Sequence, residues 1–513
     1  MALPEIRDRQ EGFAAGLNTS ADDAALANNE FRVGLNAQLS TRGAVKKRLG
    51  TQQTLATALP APVLGGFSWA RTTSVQEVIV SNGDVYTGGV SVPMTLTNQG
   101  GNLSTTVYPT FAAFKGPSAE GVYIADGGPL NFWDGTTLTE NIAGTPSVEA
   151  IAAWGPRLFA VKDDTLYWSG TTSGINGHTL GNAGSGGGLA IVRTFGGQAL
   201  VGLAPLKGSL LLFHRSAISR FTGATQDDID IDAGTQGISG DVGTVAKRSI
   251  IAVENVVYFL SDRGVFAATE VDVQPVSSPL EETLANLTKS EWEKVSAVHA
   301  RADNEVRWLI PGTGVYVFNY RTNGWTGPWT GAYTASETRA MWDTKDADGK
   351  SVVLTGHANG QVLWNQRDQV YVDNLTTAST GGTNYEFRVQ CKRFFGQDYT
   401  LVKSWRTMYA LGDFPDPENV QCIIRTSGGA VTLPLPYDAS LLGLSFVWSS
   451  SPTSWVWGQP GVTYGAGSDN TIERARVPLH GTHPWADVTF SYTGGNSARL
   501  SIVDVMGYAR RRR

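Results

Sequence analysis

Residues Ser249 to Phe266 read SIIAVENVVYFLSDRGVF. Two alternating apolar positions, Ile251 and Val253, meet a turn at Glu254-Asn255. A denser apolar run follows from Val256 to Leu260, then a second turn from Ser261 to Gly264, and the stretch closes on Val265-Phe266. Alternation at period two, broken by turn-forming residues, is the outline of a β-meander.

Related outlines recur on both sides. Upstream they run from Phe67 to Tyr86, Ala112 to Trp133, Ala152 to Trp168 and Leu203 to Phe221; downstream they run from Val298 to Phe318 and Ala340 to Trp364. The closing aromatics Tyr86, Trp133, Trp168, Phe221, Phe266, Phe318 and Trp364 fall 35 to 53 residues apart. One four-stranded propeller blade needs about 40 to 50 residues. A small sheet cannot bury both of its faces alone, so such units stack radially. The expected fold is all-β: a β-propeller of six or seven blades over 61–370, an N-terminal arm and strand over 1–60, a linker over 371–386 and a C-terminal β-sandwich over 387–513.

Composition agrees with that class. The chain has 513 residues, more than one hydrophobic core usually serves. Its 60 glycines, 15 tryptophans and 17% charged residues describe a turn-rich, aromatic-rich β protein. Cys391 and Cys422 lack metal-ligand spacing and are too few to frame a disulfide-built domain, so both are expected reduced. The start, MALPEIRDRQEG, has no apolar leader, and no apolar run approaches the roughly 18 to 20 residues that span a bilayer. A formal charge of −6 disfavours a wide nucleic-acid grip, which rests on Lys and Arg neutralising phosphates, yet an acidic protein can enclose DNA without binding it.

Along the chain, Asp22 or Asp23 caps a turn leading to Asn28-Asn29, Phe31 to Leu39 alternates as a strand that completes a blade, and Arg42-Gly43 turns it back toward Val45. Lys46, Lys47 and Arg48 read either as a solvated turn or as a partner contact. Ser169 to Gly186 is a long Gly/Ser/Thr loop. Asp228, Asp230 and Asp232 alternate on what reads as an acidic strand edge, without the glycine and distal Glu of an EF-hand. Leu280, Leu284, Leu287 and Trp292 recur at helical spacing over 280–295. The end, Arg510, Arg511, Arg512 and Arg513, is a basic tail that either stays solvated or meets DNA or an acidic partner.

The N-terminal stretch also carries a resemblance. The order Gly16, Asn18, Asn29, Glu30, Gly34, Asn36 and then Lys46-Lys47-Arg48 with Gly50 is similar to the opening of bacteriophage tail hub and nozzle proteins, the packaged-DNA stabilisation and tubular tail proteins of short-tailed phages. Gly264-Val-Phe266, Pro275-Val-Ser277, the short helix and Val315 to Trp325 resemble features of that family's propellers. The resemblance implies a virion structural protein made in the host bacterial cytoplasm. It implies a homohexameric ring in the tail beneath the portal and adaptor proteins, neighbouring tail fibre or needle proteins, with genomic DNA passing through its lumen.

Catalytic patterns do not assemble. Ser261-Asp262-Arg263-Gly264 puts the acid one place too early for a sialidase-type Asp box. His480 and His483 lack the helix and Glu of an H-E-x-x-H site, and neither a G-x-S-x-G elbow nor a P-loop occurs. No enzyme activity, cofactor or metal is expected. The competing reading is a tail-tip protein that binds glycan or receptor through exposed aromatics, with Trp325, Trp329, Trp455 and Trp457 as candidates.

Overall fold

The structure is a computed structural model. It describes residues 5–40, 42–71, 74–116, 120–170, 180–181, 186–192, 194–196, 198–223, 235–285, 292, 294–310, 313–333, 338–365, 370–374, 381–396, 401–413, 420–434 and 474–510. The chain divides into two units: residues 49–383, and residues 1–48 together with 384–513.

In the first unit the described residues form six four-stranded antiparallel sheets and, sixth in chain order, a run of four antiparallel strands, Ser296–Ala300, Glu305–Ile310, Gly314–Asn319 and Gly324–Trp329, in the manner of a β-propeller. The stretch that opened the sequence reading becomes the fifth sheet, with strands Ile251–Val253, Val256–Ser261, Gly264–Ala268 and Val273–Pro275. Each closing aromatic named above lies on the third strand of its sheet, from Tyr86 on Asp84–Gly88 to Trp364 on Val362–Asn365. Tight hairpins join the strands. Asn82 and Gly83 both take positive φ (56° and 80°), as a type I′ turn requires.

The core lies in the seams between neighbouring sheets. Phe114, Tyr123 and Phe132 of the second sheet bury against Ile151, Leu158 and Ala160 of the third. Phe159 and Val161 meet Leu210, Leu212 and Phe221 of the fourth. The ring closes where Val63, Ile79 and Tyr86 of the first sheet pack on Trp342, Leu354 and Val362 of the seventh.

The seventh sheet borrows its outer strand from the other end of the sequence. Thr51–Gln53 pairs antiparallel with Leu363–Asn365, and Gln52 bridges Asn374 on its other side. The sequence reading has Phe31 to Leu39 as one continuous strand. That stretch divides into short strands of the other unit, Val33–Leu35 and Ala37–Leu39. Residues 1–48 are part of a unit with residues 384–513, and within the segment 371–386 Asp373 accepts from the Ala332 amide and Asn374 bridges Gln52. Helix expected over 280–295 is seen as a turn at Ser278–Leu280 and a helix Glu281–Ala285, with Leu280, Leu284 and Trp292 buried; Leu287 lies outside the described residues.

The second unit holds two antiparallel sheets. One runs Arg474–His483, Val402–Asp413, Arg499–Arg510, with Glu5–Gln10 and Val45–Lys47 pairing along different parts of Arg499–Arg510 and Ala37–Leu39 following Val45–Lys47. The other runs Val33–Leu35, Phe387–Phe394, Ala486–Tyr492, Val420–Thr426, Gly429–Pro434. Cys391 and Cys422 are both buried and free, and burial pushes both thiols above their ordinary value, Cys422 to about 12. His480 and His483 lie on the strand Arg474–His483.

Candidate functional site

Most residues that carry the N-terminal resemblance lie in the second unit, where they form two hydrogen-bonded groups; Gly50 belongs to the first unit. Gly16–Leu17 runs parallel to Glu30–Phe31. The Asn18 side chain joins them: its Nδ2 donates to Glu30 Oε1 at 3.0 Å, while its Oδ1 accepts from the amides of Ser20 and Ala21. Glu30 Oε2 accepts from the Ala27 amide at 2.9 Å, so one carboxylate closes the turn from both sides. Gly34 sits beneath the Phe31 ring, where an added Cβ would come within 2.4 Å of it.

Asn36 is the hinge of the next turn. It holds φ at 52°, a conformation asparagine tolerates better than most residues, and both ends of its amide are used. Nδ2 donates to Glu386 O at 2.7 Å, and Oδ1 accepts from Arg48 Nε at 3.0 Å. The Arg48 guanidinium lies 3.8 Å over the Tyr385 ring, whose hydroxyl donates back to Arg48 O. Lys47 Nζ donates to Gly494 O at 2.6 Å and stands 4.2 Å from the Tyr385 ring centre. Lys47 is 1% exposed and Arg48 0%.

Those burials decide the role of the basic triplet. A desolvated cation is costly unless carbonyls and aromatic faces replace its water. Lys47 and Arg48 have that replacement inside their own unit, so neither presents its charge to DNA or to a partner. Lys46 alone is half-exposed, on a strand paired with Gln38 and Arg499. Arg510 ends the strand Arg499–Arg510 opposite Val402. Arg511, Arg512 and Arg513 lie outside the described residues, as do Asp228, Asp230 and Asp232.

Ion pairs fasten the same N-terminal segment further. Lys392 Nζ reaches Asp8 and Asn28, each at 2.7 Å, and Asp8 also accepts the amides of Phe395 and Gly396. Arg393 pairs with Asp487 at 2.8 Å and with Asp23 at 3.2 Å, and its guanidinium covers the Trp485 ring.

In the propeller, the turn Lys247–Ser249 stands before the fifth sheet and ties several segments together. Arg248 donates to Arg339 O at 2.9 Å, Lys294 O at 2.7 Å and Leu64 O at 3.2 Å, and stacks 4.1 Å from the Tyr108 ring. Lys247 Nζ donates to Glu149 O at 2.9 Å. Two adjacent side chains thus touch the first and seventh sheets and the segments leading into the second, third and sixth.

A cleft of about 70 Å³ opens beside the sixth and seventh sheets, lined by Asp303, Arg307, Asp346, Lys350 and Trp364. Its arginine is already satisfied by Glu305 and Asp303, at 2.7 and 2.6 Å, and lies 4.9 Å over Trp329. Trp325 and Trp329, offered by the sequence as an exposed aromatic cluster, are 1% and 0% exposed. They are core residues, with Trp325 Nε1 donating to Val276 O at 2.7 Å. Trp455 and Trp457 lie outside the described residues. Among the described residues no three His, Cys, Asp or Glu side chains group as metal ligands, and no helix is long and apolar enough to cross a membrane.

No family model matches this sequence, and no curated protein does. Solved structures are similar in fold. The WD40 repeats of RRP9 align at 10% identity over 63% of this chain and 100% of that one, with a TM-score of 0.43. A chain of the mitotic checkpoint complex aligns at 11% identity over 63% and 94%, TM-score 0.42, and U3-55K at 9% over 62% and 98%, TM-score 0.42.

Proposed function

We propose that this chain is a virion structural protein, one subunit of a homohexameric tail hub or nozzle ring below the portal and adaptor that retains the packaged genome and conducts it during ejection. The observation that carries the reading is the use made of Asn18, Glu30, Asn36, Lys47 and Arg48. The residues that resemble the opening of the phage family hold the first 48 residues to residues 384–513, so the pattern marks a built structural block rather than an exchangeable tail.

The function is geometric. In this reading DNA passes through a lumen bounded by several subunits. A chain with 46 acidic against 40 basic residues makes a wall along which DNA slides without being held. In this reading Lys46 and the terminal Arg510, Arg511, Arg512 and Arg513 are the basic groups left for DNA or an adjoining ring, and tail fibre or needle proteins adjoin the assembly. Ring contacts are heterologous, each subunit offering different faces to its two neighbours.

Labelled antibody against the chain, imaged on disrupted particles, tests its place. Label on the tail axis next to the portal supports the conduit. Label at peripheral tips replaces it with receptor binding.

A further inference from the structure

The first and seventh sheets meet around a carboxyl group that has no cationic partner among the described residues. Glu77, on the second strand of the first sheet, is 0% exposed. Trp342 Nε1 donates to its Oε2 at 2.7 Å, and the Thr344 hydroxyl lies 2.5 Å from its Oε1, both from the inner strand of the seventh sheet. Ser68, directly across from Glu77 in the first sheet, places its hydroxyl 2.9 Å from that of Thr344 and within reach of the same carboxyl.

The charges facing this site are few. The strand Val63–Ala70 bears none, and Glu77 stands opposite Gly88 on the strand Asp84–Gly88, whose titratable residues are Asp84 and Tyr86. On Thr338–Lys345, Asp343 and Lys345 alternate to the face away from Trp342 and Thr344, and Arg339 sits at a bulge. Asp343, paired with Arg301 at 3.3 Å, adds repulsion. Burial dominates and pushes the Glu77 carboxyl up to about 7.

We propose that Glu77 is a proton-operated latch on the seam that closes the propeller. Both forms of the carboxyl can be hydrogen-bonded by the same neighbours, because two hydroxyls rotate. Ionised, Glu77 accepts from Trp342, Thr344 and Ser68. After taking a proton from solvent it donates to Thr344 Oγ1, and Thr344 turns to donate to Ser68. No partner is orphaned in either state, so the difference lies in desolvating the anion, and the neutral seam is the tighter one. Working the sign through, the folded carboxyl holds its proton up to about 7 while the unfolded one releases it near 4.5. Stability from this group is full below the unfolded value and is lost as pH rises through the folded one.

The test is denaturant unfolding of the full chain and its Glu77→Gln variant between pH 5 and 8. The amide keeps the shape and cannot ionise. Relative to the variant, the unmodified chain is expected to lose on the order of a hundred-fold in its folding equilibrium across that range. Parallel pH profiles overturn the latch. Should the variant fail to fold, hydrogen exchange of the unmodified chain decides, after correction for intrinsic pH effects. Protection of Val75–Ser81 and Thr338–Lys345 must fall with rising pH while that of Leu210–His214 holds; a uniform change in all three overturns the proposal.

Discussion

Asn36 and Arg48 hold each other twice: Arg48 Nε donates to Asn36 Oδ1 at 3.0 Å, and the Arg48 amide donates to Asn36 O, also at 3.0 Å. The pair locks a positive-φ turn to a fully buried cation at the end of the N-terminal segment.

Removing either partner leaves the other buried with a polar group unmet. Asn36→Ala and Arg48→Ala are each expected to destabilise the chain by about 2–4 kcal/mol, whereas Lys46→Ala should stay within about 0.5 kcal/mol. Thermal melts of the three variants check this. A Lys46→Ala effect as large as that of Arg48→Ala would mean the triplet acts as one surface patch.

Arg248 spends its guanidinium on carbonyls from three separate segments of the propeller. Arg248→Met keeps the stem and removes those donors. The expected cost is about 2–3 kcal/mol, since several buried carbonyls lose a charged donor. Hydrogen exchange should show the loss in Val63–Ala70 and Thr338–Lys345 together, because one side chain ties both.

His357 gives a pH dependence opposite in sign to that of Glu77. It is 1% exposed, and burial pushes its imidazole down to about 4 against a smaller opposing pull from Asp373. The unfolded chain takes up this proton near 6.5 and the folded chain does not until about 4, so the stabilisation is present above 6.5 and is lost as pH falls toward 4. Urea midpoints of His357→Gln should therefore lack part of the acid-side decline seen in the unmodified chain. An unchanged acid limb contradicts this.

The blades were legible because their signal is local. Alternation, tight turns and one closing aromatic recur within each unit, and all seven aromatics mark third strands. Thr51–Gln53 escaped because the three residues TQQ have no apolar alternation, and only pairing with residues some three hundred positions away makes them a strand. The burial of Lys47 and Arg48 was hidden for a related reason: charged triplets are normally solvated, and the rings of Tyr385 and Tyr492 that replace their water lie far along the chain. Glu77 with Trp342, and Arg248 with Leu64, are likewise meetings of distant residues that no spacing announces.

The central claim is that the chain works as a ring. Native mass measurement of the purified protein, with negative-stain imaging of the same sample, tests it most directly. A hexameric mass and closed rings with an open centre are expected. A monomer or trimer without a central opening would contradict it.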